Sequence, residues 1–143
     1  MMKLTKYPSI DINKIICIDN IIYEMRYNYE SIDITFRTMN PEYDVTISIV
    51  YRHEYEEINP NKFKINRVII VHFNEHPDDI RIMNKDADES LKYFSKIRNY
   101  CGEYFDSNLI SVRLTSESNK EGRKIIDKIV NCINKIISFA CPL

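Results

Sequence analysis

The residues best placed by type and spacing to do chemistry are His72-Phe73-Asn74-Glu75-His76. Their order matches the His-x-x-Glu-His arrangement of zinc-dependent peptidases. That chemistry needs both imidazoles on one helical face, with the glutamate over a metal-bound water. Here His72 follows the β-branched run Val68-Ile69-Ile70-Val71, and Pro77 comes directly after His76. Proline disfavours helix for the residue before it, so the local expectation is a strand end and a turn. A looser reading keeps His72, His76 and Asp78 as ligands of a divalent transition metal, with His53 brought near if two strands form a hairpin. Imidazole with carboxylate suits zinc, iron or manganese. A small metal-dependent enzyme using His72 and His76 is therefore the alternative functional reading; the first reading has no cofactor.

Other chemistry is weaker. Asn84, Asp86 and Asp88 open like a calcium loop, but position six is Glu89 where glycine is needed, and position twelve is Ser95 where glutamate is needed. Those oxygens are better suited to a helix N-terminus. With only Gly102 and Gly122, the chain cannot hold a dinucleotide fingerprint, a P-loop or a nucleophile elbow. Cys17, Cys101 and Cys132 sit in apolar, periodic surroundings, where a thiol is inert packing material. Cys141, near the last residue, is the one expected to meet reagents. The paired acids Glu56-Glu57 and Asp78-Asp79 read as solvated loop residues. No catalytic residue is assigned.

Tyrosine invites a binding reading instead. The chain has ten, and Tyr23, Tyr27, Tyr29, Tyr43 and Tyr51 fall on the more apolar strand faces. Tyr55, Tyr93 and Tyr100 are expected to be the exposed ones, and they are the candidate binding residues. Tyrosine brings large contact area with few rotors. Codon bias competes as an explanation, since Ile, Asn, Lys and Tyr are all enriched as an A/T-rich genome would make them.

The elements that must position these residues follow from periodicity. Period-two alternation runs through 21–29, 32–36 and 43–51, the pattern of half-buried antiparallel strands. Ile65 to Phe73 is apolar on both faces at Val68-Ile69-Ile70-Val71 and should lie centrally. Pro41 and Asn59-Pro60-Asn61 mark turns. Ser9 to Ile18 is ambiguous between strand and helix. Ala87, Leu91, Phe94, Ile97, Cys101, Tyr104 and Phe105 share a helical face, capped by Asn84 or Asp86. Leu109 to Thr115 alternates again. Ser118 to Glu121 forms a capping box, followed by a wide isoleucine stripe from Ile125 to Ala140.

These elements predict one α+β domain over 1–143: a mainly antiparallel sheet of four to six strands beginning as a meander, with two helices on one face and a long amphipathic C-terminal helix. The last helix carries Lys120, Arg123, Lys124, Lys128 and Lys135, yet isoleucines this dense are read as core, not as a membrane or groove element. Net charge is −1, which gives no strong nucleic-acid signal. No transmembrane segment or signal peptide is read, and the cysteine usage points to a reducing cytoplasmic compartment. The functional expectation is a non-catalytic macromolecule-binding protein, an immunity, anti-defence or host-interaction factor from an A/T-rich genome such as a virus or phage. It would act through a sheet edge or a Tyr-bearing surface on another protein, including its own copy as a homodimer.

Overall fold

Alternating strands bury one face and leave the other wet, and the chain does this repeatedly before residue 84. The computed structural model describes residues 7–104, 112–113 and 120–140. Strands β1 (Ile15–Arg26), β2 (Tyr29–Thr38), β3 (Val45–Asn59), β4 (Lys62–Phe73) and β5 (Ile80–Met83) form an antiparallel meander, each paired with the next. After helix α1 (Lys85–Cys101) the chain reaches the far edge, where β6 (Val112–Arg113) pairs with Ile18 and Cys17. Helix α2 (Lys120–Ala140) follows. The sheet order is β5-β4-β3-β2-β1-β6, an α+β architecture.

The core is built from cross-strand rows. Ile21, Ile34, Ile47 and Phe73 stand side by side, and so do Tyr23, Ile32, Ile49, Val71 and Ile80. Onto these rows α1 packs Ala87, Phe94, Ile97 and Cys101, and α2 packs Ile126, Ile129, Val130, Ile133 and Ile136. Both helices therefore cover one face. Crossing a six-stranded sheet takes about 24 Å, five strand spacings of about 4.8 Å. The 17 residues of α1 span about 25 Å, enough to do it. Its start is tied to β4 by the Asp88–Arg67 ion pair, and its later turns to β2 by Arg98–Glu30 at 2.6 Å. Asn134 fixes α2 by accepting from the Ile10 N–H and donating to the Ile10 carbonyl, at 2.9 and 3.0 Å. Among the described residues no helix is long and apolar enough to cross a membrane.

Several elements differ from expectation for local reasons. The ambiguous Ser9–Ile18 segment is a single 3-10 turn, Ile12–Lys14, running into β1. Register shifts at Ile15/Cys17 and Ile18/Asn20 add residues to β1, so Ile15, Ile18 and Ile21 all face the core three apart. A bulged strand thus mimics helical spacing. The alternation at 21–29 continues through a two-residue turn: Arg26 pairs with Tyr29, which leaves Tyr27 in the turn and fully exposed. Tyr43 likewise belongs to a 3-10 turn at Pro41–Tyr43 before β3 and is exposed. The β5 strand was not read from the sequence because four residues are too few to show a period. The candidate strand Leu109–Thr115 lies outside the described residues except for β6, as do Phe105, Ser118 of the capping box and Cys141.

Asn84 is the N-cap of α1, but its side chain makes no capping bond and its φ is 54°. Gly102, by contrast, has helical φ −55° and ψ −39°, with open space where a Cβ would stand. The two positions have each other's residue type. Gly102→Ala should stabilise by about 0.4–1 kcal/mol by narrowing the unfolded ensemble, and Asn84→Gly by about 1 kcal/mol through relief of strain. Urea-midpoint shifts check both.

Burial pushes the Cys101 thiol up to about 12 from an ordinary 9.0, with Cys132 nearby adding to the rise. The fold favours the neutral thiol, so this contribution is fully present below about pH 9 and is lost as pH climbs from 9 toward 12. At pH 8, Cys17, Cys101 and Cys132 should react with thiol reagents only as fast as the protein unfolds, which mass spectrometry of timed labelling reads directly.

Candidate functional site

Strand length creates the site. β2 stops pairing with β3 at Arg52, and β5 stops pairing with β4 at Val68. β3 and β4 continue together to the turn at Pro60-Asn61, through Tyr55↔Ile65, Glu56↔Lys64 and Glu57↔Phe63. Beyond Arg52, β3 runs on for about 20 Å at 3.3 Å per residue, as one limb of a two-stranded ribbon. Alternation assigns its faces. His53, Tyr55, Glu57, Phe63, Ile65 and Arg67 continue the core-facing side, while Glu54, Glu56, Lys64 and Asn66 continue the open side. No helix covers the first set at the ribbon's outer part: Tyr55 is 70% exposed, Phe63 58% and Ile65 53%.

Beside the ribbon, the β1–β2 turn adds a second projecting group. Met25 and Tyr27 are exposed there, and with Tyr29, Tyr51, His53 and Tyr55 they line a cleft of about 440 Å³. Its floor is ordered. Tyr51 packs on Phe94 with ring centres 6.2 Å apart, and its hydroxyl lies 2.8 Å from His53 Nε2. Burial, and then the negative charge of Glu30, raise the Tyr23 phenol. Burial also raises Tyr51, so both hydroxyls remain protonated donors. Glu30 accepts from the Tyr23 hydroxyl at 3.0 Å and from Arg98 Nη1 at 2.6 Å, which joins the cleft wall to α1. At the ribbon's base Glu54 accepts from both Arg52 and Arg81. Burial alone would raise its carboxyl, but the two guanidiniums prevail and hold it below the usual range. The surface offers aromatic area, with the Tyr23 and Tyr51 hydroxyls held within the chain by Glu30 and His53.

The three candidate tyrosines are not brought together. Tyr55 is on the ribbon. Tyr93 is half-buried against Phe139, with Lys96 Nζ 5.1 Å from its ring centre, and Tyr100 lies under Lys128 at 5.5 Å. Those two help α1 pack on α2. Phe63, Ile65, Met25 and Tyr27 are the surface residues that sequence reasoning missed. The missed signal was strand length: β3 runs from Val45 to Asn59 and outruns its neighbour β2, which stops pairing at Arg52.

The histidines are also apart. His72 stands on the open face in the row Asp33–Ser48–His72, and its Nδ1 donates to Asp79 Oδ1 at 2.6 Å. His76 lies in the following turn, where the Asp78 N–H donates to its Nδ1 at 3.2 Å and Tyr7 packs on its ring. It lines a different cleft, with Tyr43 and Phe73. His53 is engaged by Tyr51. Among the described residues no group of three His, Cys, Asp or Glu side chains is placed to hold a metal ion.

Removing one partner of the Glu30–Arg98 pair leaves the other half-buried charge without its strongest hydrogen bond. Arg98→Met should cost about 1–3 kcal/mol. A double-mutant cycle with Glu30→Gln should return a coupling near 1 kcal/mol, read from denaturation midpoints. Comparison with protein-family models, with curated proteins and with solved structures finds no match for this chain.

Proposed function

We propose that this protein is a non-catalytic protein-binding module that engages its partner through the aromatic face of the β3–β4 ribbon and the tyrosine-lined cleft beside it. One observation carries this reading. A two-stranded ribbon is marginal in water by itself, yet this one projects with Tyr55, Phe63 and Ile65 uncovered on one face. Apolar and aromatic surface held out on a paired backbone gains free energy when a second surface covers it. Tyrosine and phenylalanine in such a position are the residue types that anchor interfaces. Charge argues for the face over the edges: Glu56, Glu57, Lys62 and Lys64 stud the outer ribbon and discourage strand-by-strand growth along it. An interaction factor of the immunity, anti-defence or host-interaction type is the setting we infer, supported by the A/T-biased composition.

The test compares capture from the producing cell by wild type, by Tyr55→Ser/Phe63→Ser, and by a control Lys124→Ser/Lys135→Ser at exposed positions of α2. Melting curves first establish that all three are folded. Proteins retained by wild type and by the α2 control should be lost from the ribbon variant by tenfold or more. Equal retention by all three would remove the ribbon from the binding surface.

A further inference from the structure

In an antiparallel sheet successive residues of a strand turn their N–H and C=O to opposite neighbours. The Thr46 carbonyl accepts from the Asn74 N–H, so even-numbered residues of β3 face β4. The Arg67 carbonyl accepts from the Asn84 N–H on the β5 side, which agrees: odd-numbered residues of β4 face away from β3. No register shift interrupts β3 before Glu57. Its odd-numbered residues therefore face β2. That strand stops pairing at Tyr29↔Arg52, and the chain turns away at Tyr27-Asn28. At His53, Tyr55 and Glu57 the outward backbone groups have no partner among the described residues.

We infer that this edge takes an extended peptide segment of another protein, added antiparallel to β3 in line with β2, with a basic side chain opposite Glu57 and an apolar one opposite Tyr55. This rests on the ribbon and its cleft being the binding surface. Donors and acceptors that recur at every second residue are matched by another extended backbone, the mode of strand addition. The cleft supplies the room, about 440 Å³ between the β1–β2 turn and the His53–Tyr55 stretch. The added strand lies in the plane of the sheet, so α1, which packs on the sheet face at Tyr51 and Arg67, does not obstruct it.

Directly opposite residues share a face and touch. The peptide residue opposite Tyr55 meets a ring that is 70% exposed. The residue two positions earlier in the peptide meets Glu57, which has no ion pair or hydrogen bond among the described residues. On the other face Glu56 is tied only to Asn66, at 3.2 Å. The acids that discourage unselected strand growth thus favour one kind of strand, with lysine or arginine beside them. The segment reads basic-x-apolar, both named side chains lying on the side of Tyr55.

The probe is acetyl-Thr-Lys-Val-Phe-Val-Thr amide, titrated into the isotope-labelled full chain. Amide shifts should saturate below millimolar peptide, and hydrogen exchange at the Tyr55 and Glu57 N–H groups should slow by about tenfold or more. N-methylation of the peptide at Lys or Phe, whose N–H groups face β3, should abolish binding, whereas N-methylation at the intervening Val should not. Glu57→Lys, on the solvated tip and expected to keep the wild-type melting curve, should weaken this peptide about tenfold and favour the version with Glu in place of Lys. No binding at millimolar peptide overturns the strand addition. So does indifference to the position of the methyl group, or protection at Phe63 and Ile65, the outward amides of β4. If it is overturned while Tyr55→Ser/Phe63→Ser still loses the captured protein, the ribbon face binds by itself. If that variant also loses nothing, both readings fail.

Discussion

Everything in this molecule depends on the alignment of two rows of isoleucine across the meander. The Ile21–Ile34–Ile47–Phe73 and Tyr23–Ile32–Ile49–Val71–Ile80 rows make one face of five strands apolar without a break. A one-residue slip in any strand would turn its isoleucines to the wet face and bring polar residues such as Asp33 or Ser48 inward. The pairing register is therefore held by burial, and the helices have a single surface on which to pack. The opposite face stays open but not bare. Val68 is fully buried there, with Arg52 and Met83 as its ladder partners on the two neighbouring strands.

The same register explains why the exposed aromatic surface is where it is. Rows can form only where strands overlap, and β3 and β4, with 15 and 12 residues, are longer than β2 and β5, with 10 and 4. The excess has to project. Alternation does not stop at the end of the overlap, so the side that is core under the helices becomes exposed apolar surface beyond them. Tyr55, Phe63 and Ile65 are core-type residues that have run past the edge of the core. Glu54, bound by Arg52 and Arg81, ties the ribbon's root across β3 and β5, and Arg67–Asp88 ties it to α1. The surface is thus mounted on a braced support.

Much of this was legible in the residues. The alternation of Ile32, Ile34 and Phe36, the doubly apolar Val68-Ile69-Ile70-Val71 and the isoleucine stripe of α2 each named an element and its buried side. Asn59-Pro60-Asn61 located the hairpin turn to the residue. Where reading failed, two patterns gave the same local signal. Ile12, Ile15 and Ile16 have a spacing that a helix also gives, yet they belong to a 3-10 turn and the start of β1. Tyr27 kept the beat of its strand while standing in the turn. Tyr93 and Tyr100 looked exposed because nothing in a single helix tells which flank a second helix will cover.

What the sequence by itself determined is the class of object: strands and helices with their apolar sides, hence an α+β domain, and the lack of glycine loops able to wrap a phosphate. Those are properties of residues and near neighbours, and periodicity carries them. The tertiary structure decided which residues meet. It sent His72 to Asp79 on the open face and His76 to a turn beside Tyr7, and it separated Tyr55 from Tyr93 and Tyr100. It also decided that Phe63 and Ile65 are surface. Exposure at those positions depends on where the neighbouring strands β2 and β5 end and how far the helix layer reaches, and no local pattern in 53–67 contains either length.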